Sequence, residues 1–181
     1  MAMGRSLTAV AVFGAAVCSL LPALAAPPAA APGKTTVGWL EKALILPGNV
    51  PCKAKLDTGA KTSSINTRSY EVFERDGVKW VRFVIAAKDN LTCALERRVL
   101  RFSKIKEHGP EARERPVVML TVVLGDRCHE VEVNLVDRSN FIYPLLLGRS
   151  FLQRAGLAVD ASACFTRKPV PVGTEGVGLE K

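Results

Sequence analysis

Leu56-Asp57-Thr58-Gly59-Ala60 closes an alternating run that begins at Val50. Asp, Thr and Gly in succession often make nothing more than a turn. At the end of a strand the same residues have a second use. The strand holds the carboxylate rigidly, the Thr58 hydroxyl is available to lock the loop, and Gly59 lets the backbone approach closely and offer an N–H to the carboxylate. Asp57, Thr58 and Gly59 are therefore the catalytic candidates.

Working outward, Val37 to Leu46 reads as a strand, Pro47-Gly48-Asn49 as a turn, and Val50 to Leu56 as the returning strand, so the aspartate follows a β-hairpin. Asp76-Gly77 precedes an alternating strand over 78–85. A further strand is expected over 96–105 and a charged loop over 107–115. Val117 to Leu124, the turn Gly125-Asp126-Arg127, and His129 to Val136 form a second hairpin. Tyr143 to Leu147 is a short apolar strand ending at Gly148. One helix follows, capped by Ser150, burying Phe151, Leu152 and Ala155 and ended by Gly156. Leu157 to Phe165 is the last strand. Many short strands joined by turns, with one short helix near the C-terminus, predict an all-β closed or sandwiched architecture.

The segment Pro144-Leu145-Leu146-Leu147-Gly148-Arg149-Ser150-Phe151-Leu152 is an apolar strand, a glycine and a helix start. Together with Leu56 to Ala60 it resembles the retropepsins, over roughly 37–165. That resemblance implies a retropepsin-like (acid protease) closed β-barrel, in which the Leu-Leu-Gly strand crosses beside the aspartate loop. A closer resemblance is to bacterial proteins called "ATP-dependent zinc proteases", some of which accompany ATP-grasp, glutamate-ligase-like enzymes. Their hallmarks stand here as Gly38-Trp39, Asp57-Thr58-Gly59-Ala60-Lys61-Thr62-Ser63-Ser64-Ile65-Asn66 and Leu146 to Leu152. The resemblance implies an aspartic endopeptidase acting on peptides or proteins, with Ala60, Lys61, Leu147 and Gly148 at the substrate side. The chain holds one such aspartate loop, since Asp160-Ala161-Ser162 lacks the Thr-Gly element. The second carboxylate of the dyad is then Asp57 of another copy, and a homodimer is expected. The ligase association points to acidic substrates and to a functional link with such a ligase.

Two features depart from the retropepsin pattern. Viral-type members carry an acidic residue after Asp-Thr-Gly-Ala, paired with the arginine that stands here as Arg149. This chain has Lys61, which is either a solvated loop charge or a cation that lowers a nearby carboxylate pKa or meets an acidic substrate. The region matching the flap, 85–95, turns at Lys88-Asp89-Asn90 and lacks glycine. No His-Glu-x-x-His and no phosphate loop occur. The two histidines are His108 and His129, and Cys128 and His129 would point to opposite faces of a strand. Neither a cofactor nor a closed zinc site is expected, and both histidines read as surface residues.

Composition sets the setting. The 181 residues carry a net charge of +8 and are 48% hydrophobic, enough for one folded domain. The basic residues are scattered without interleaved aromatics, which argues against nucleic-acid binding. Residues 1–25 combine Arg5, an apolar run from Leu7 to Leu21 and Ala23-Leu24-Ala25, the pattern of a secretory signal. Its removal would take one charge and leave +7. An Ala/Pro-rich linker over 26–36, a peptidase domain over 37–166 and a flexible tail over 167–181 follow. A periplasmic location is expected, where Cys52, Cys93, Cys128 and Cys164 are compatible with disulfides in any of three pairings. Two other functions compete: a non-catalytic pepsin-like module that binds a peptide or envelope protein, and a metallohydrolase.

Overall fold

A computed structural model describes residues 33–86, 92–105, 113–137 and 142–172. The strands are β1 (Thr35–Leu46), β2 (Val50–Asp57), β3 (Ser63–Arg75), β4 (Val78–Ala86), β5 (Thr92–Arg98), β6 (Arg101–Ile105), β7 (Arg113–Leu124), β8 (Arg127–Val136), β9 (Leu145–Gly148) and β10 (Leu157–Cys164). The helix α1 (Arg149–Arg154) lies between β9 and β10.

Six strands close a barrel in the order β1-β2-β9-β3-β8-β7, and β7 returns to pair with β1. Closure satisfies the backbone around the ring and leaves no barrel edge open. Strand β10 is added to β1 in parallel, and β6 is added to β7. The outer half of β3 leaves the barrel and pairs with β4, which pairs with β5, making a second antiparallel sheet. The core is aliphatic: Ile45, Ala54, Leu56, Ile65, Leu120, Val133, Leu135, Leu145 and Leu147 are buried. Each large member contributes about 1.5–3 kcal/mol by leaving water.

Both expected hairpins form, with β1 antiparallel to β2 and β7 antiparallel to β8. Four expectations are corrected. Strand β3 was not expected. Its barrel half buries Ser63, Ile65 and Thr67 while the residues between them are less covered, so a strand period is present but is carried largely by small polar side chains. The single strand expected over 96–105 is two, β5 and β6, because Val99 turns inward between the sheets and is buried. The expected loop over 107–115 ends earlier, since Arg113 to Arg115 already belong to β7; the rest of it lies outside the described residues, as do the expected flap turn at Lys88-Asp89-Asn90 and His108. Helix α1 begins after Gly148 as its N-cap, with no side-chain cap, so Ser150 is not the cap.

The C-terminal segment also differs from expectation. Through Val172 it is tied down. Val170 N donates to Gly125 O, the Asn49 side chain exchanges two hydrogen bonds with the Val172 backbone, and Val172 packs on Leu44, Leu46 and Val123. The buried Glu41 carboxylate accepts hydrogen bonds from Gly38 N, Thr166 N, the Thr166 hydroxyl and Arg167 N, and so fastens β1 to the chain that follows β10.

Candidate active site

The parallel pairing of β2 with β9 sets Asp57 opposite Gly148, and β9 in turn pairs with the first residues of β3. The aspartate loop is therefore enclosed by three barrel strands. Asp57 Oδ1 accepts Gly59 N at 2.9 Å and Ala60 N at 3.2 Å. Oδ2 faces Lys55 Nζ at 3.2 Å. Partial burial works to raise the Asp57 pKa, but the Lys55 ammonium and the two backbone N–H groups together outweigh it and hold the carboxyl below its ordinary value.

Gly148 is required by contact. A Cβ there would lie 2.5 Å from Thr62 O and 2.9 Å from Ala60 O. Its N–H donates to Ser63 Oγ at 3.1 Å. Arg149 N and Ser150 N donate to Ala60 O and Lys61 O. The Arg149 guanidinium completes the clamp, with Nη1 3.1 Å from both Thr58 O and Gly59 O. Arg149 thus braces the loop through backbone carbonyls, which explains how the site dispenses with the acidic partner absent at Lys61.

The proposed site residues distribute as follows. Asp57, Gly59, Ala60 and Gly148 come together. Thr58 is exposed, and its carbonyl accepts a hydrogen bond from Arg149. Lys61 is exposed, and the cation beside Asp57 is Lys55 rather than Lys61. The Leu147 side chain is fully buried in the barrel, so it supports the loop from behind; Leu146, pointing the other way, is the partly exposed residue of β9. Lys55 and Ser63 were missed. Lys55 had a signal, because residues two apart on a strand share a face.

Elsewhere, Asp160 is partly buried and accepts hydrogen bonds from the Ser162 hydroxyl and N–H, which lower its pKa. His129 is half-buried edge-on against Phe151, at 5.4 Å, rather than a free surface residue; burial and then Arg127 lower its pKa. Among the described residues no three His, Cys, Asp or Glu side chains gather into a metal-holding group. The thiols of Cys52, Cys93, Cys128 and Cys164 are free in this structure. Burial pushes the Cys52 thiol up to about 12.

A closed six-stranded barrel with an aspartate loop locked against a Leu-Gly strand defines a retropepsin-like unit. A family model described as "RimB-like: Retropepsin-like aspartic endopeptidase RimB" matches residues 36–170, and the chain belongs to that family. A crystal structure of a Legionella pneumophila protein of unknown function is 37% identical, with a TM-score of 0.65 over 74% of this chain and 98% of that one. Proteins named "Probable alpha-L-glutamate ligase" are similar as well. The one from Shewanella pealeana is 34% identical over 116 residues, 62% of this chain and 25% of its own length. The one from Desulfotalea psychrophila is 33% identical over 115 residues, again 62% and 25%. The chain spans about a quarter of the length of these curated relatives.

Proposed function

We propose that this protein is a periplasmic aspartic endopeptidase that hydrolyses peptide bonds through a water held between Asp57 and Asp57 of a second copy. The observation that carries this reading is the Asp57 carboxylate itself. One oxygen is fixed by two backbone N–H groups and the other is paired with the Lys55 ammonium, on a loop braced by Gly148 and Arg149. In such a dyad the two carboxyls share one proton. The ionised one takes a proton from water as the water attacks the scissile carbonyl, and the protonated one donates to the carbonyl oxygen. Repulsion between the two carboxylates keeps that proton in place.

Substrates of acidic, glutamyl-rich character fit the cations around the loop, Lys55, Lys61 and Arg149. The glutamate-ligase relatives support the same substrate class and a functional link to an ATP-grasp ligase. The secretory pattern in residues 1–25 supports export.

Peptide-library cleavage by the folded wild type, with and without chelator and beside Asp57→Asn, tests the mechanism. Chelator-resistant cleavage that falls by about 10²–10⁴-fold in Asp57→Asn is expected. Chelator-sensitive cleavage would assign the chemistry to a metal. A folded wild type that binds peptides without cutting them would make the domain a binding module.

A further inference from the structure

Strand β3 outruns its neighbours. Inside the barrel, residues 63–66 pair with β8, and Ser64 and Ile65 pair with β9. Strand β8 stops at Val136, opposite Asn66. Over 67–75 β3 pairs with β4 on one side, and its other edge is unpaired among the described residues. Residues 68–75 are exposed apart from the partly buried Phe73. An open edge of this length offers backbone N–H and C=O groups to a further strand.

The side chains along this edge are half covered. Tyr70 and Val72 lie opposite Phe83 and Val81 of β4. Those two are 1% and 0% exposed, whereas Tyr70 and Val72 are 41% and 38% exposed. On the other face Phe73 lies opposite Trp80 and Glu71 opposite Arg82, and the Arg75 guanidinium stacks on the Phe73 and Trp80 rings. Glu71, Phe73 and Arg75 thus share one face of the sheet.

The sequence of the edge selects its occupant. Two copies of β3 can pair antiparallel about a twofold axis. Registers that keep each face continuous across both copies are centred on a residue, because opposed residues share a face. Centring on Glu71 or Glu74 sets two carboxylates against each other. Centring on Val72 sets Glu71 against Phe73 and leaves its charge unmatched. Centring on Phe73 sets Glu71 opposite Arg75 of the second copy at both ends, ring against ring on the axis, and the two Val72 side chains on a diagonal.

We propose that two copies of this chain join edge to edge through residues 71–75, antiparallel about Phe73, into one continuous sheet with β3, β4 and β5 from each copy. So short a pairing covers less than the area of about 1,000 Å² that marks a stable interface. It is therefore weak, forms at high protein concentration, and is absent from dilute cleavage assays. Phe73 lies ten residues along β3 from Ser63, about 33 Å of extended chain. The surface is thus remote from the aspartate loop, and it stands apart from the peptidase reading.

Sedimentation of the folded protein at concentrations up to about 1 mM tests the pairing. The mass should double toward the top of that range. The association should weaken about tenfold or more in Glu71→Arg and in Arg75→Glu, each of which opposes like charges at both ends of the register. An equimolar mixture of the two variants should restore it, because each arginine then meets a glutamate. Both substitutions fall on exposed side chains, so folding survives them. A short bis-maleimide should join Phe73→Cys to its copy in a background of Cys128→Ser and Cys164→Ser, which removes the exposed thiols, and should leave Arg98→Cys unjoined. No rise in mass, a rise indifferent to both charge variants, or a mixture that fails to restore it would overturn the proposal. Association through the Asp57 loops alone would leave Phe73→Cys unjoined and would overturn it equally.

Discussion

Asp57 and Lys55 show how two positions on one strand face set the chemistry of a loop. Their ion pair of 3.2 Å lies outside the barrel, where solvent screens it and its stability contribution is small. Its effect on protonation is larger, because it acts on the group that must ionise. With Asp57 held below its ordinary pKa, the ionised form persists to lower pH. The sign follows: Lys55→Met removes the stabilising cation, the Asp57 pKa rises, and the acid limb of the pH–activity profile moves to higher pH. A profile unmoved in Lys55→Met would show that the ammonium leaves Asp57 when the dyad assembles. Gly148 acts by volume instead. Gly148→Ala drives a methyl into the Thr62 and Ala60 carbonyls, both backbone atoms that yield only if the loop shifts. A stability loss of about 1–3 kcal/mol is expected from thermal unfolding, with activity falling as the loop moves.

At the scale of elements, β1 carries two duties. It closes the barrel against β7 and receives β10 along its first half. Glu41 joins these, since a single buried carboxylate gathers donors from Gly38, Thr166 and Arg167. Glu41→Ala would leave those N–H groups without their acceptor and cost about 3 kcal/mol. Amide hydrogen exchange should quicken at Thr166 and Arg167 while β8 stays protected, and uniform quickening would mean the whole barrel depends on this bond set. Which elements were legible in the sequence follows from how each is stabilised. The β7–β8 hairpin announces itself, because Gly125-Asp126 separates a nearly continuous apolar run in β7 from an alternating one in β8. Strand β3 was silent because its inward residues Ser63 and Thr67 are polar and are buried through a neighbouring strand rather than through their own hydrophobicity. Val99 hides the β5–β6 break for the opposite reason, since an apolar residue at a crossing looks like one inside a strand. In the site, Asp57, Gly59 and Gly148 were readable from local motifs. The Arg149 bonds to the Thr58 and Gly59 carbonyls were not, because they join segments distant in sequence.

The whole molecule supplies one aspartate loop per chain. A water held between two carboxylates therefore requires either a second copy or a different mechanism. Strand β10 bears on how copies would meet, because it lies in parallel along β1 of its own chain and fills that edge of β1, while β10 itself ends the strand order of the sheet. Mixing measures the requirement directly. Wild type and Asp57→Asn are unfolded together in equal amounts and refolded, so that subunits combine at random. A site shared between copies is intact only where both contribute Asp57, so activity per total protein should fall to about a quarter of the wild-type value. A site complete within one chain loses only the share that the variant replaces, and activity would settle at about a half. A quarter, together with sedimentation of the active species at twice the chain mass, fixes the dyad as intermolecular. A half would place the second catalytic group within the chain and make Lys55, already in contact with Asp57, the first residue to replace.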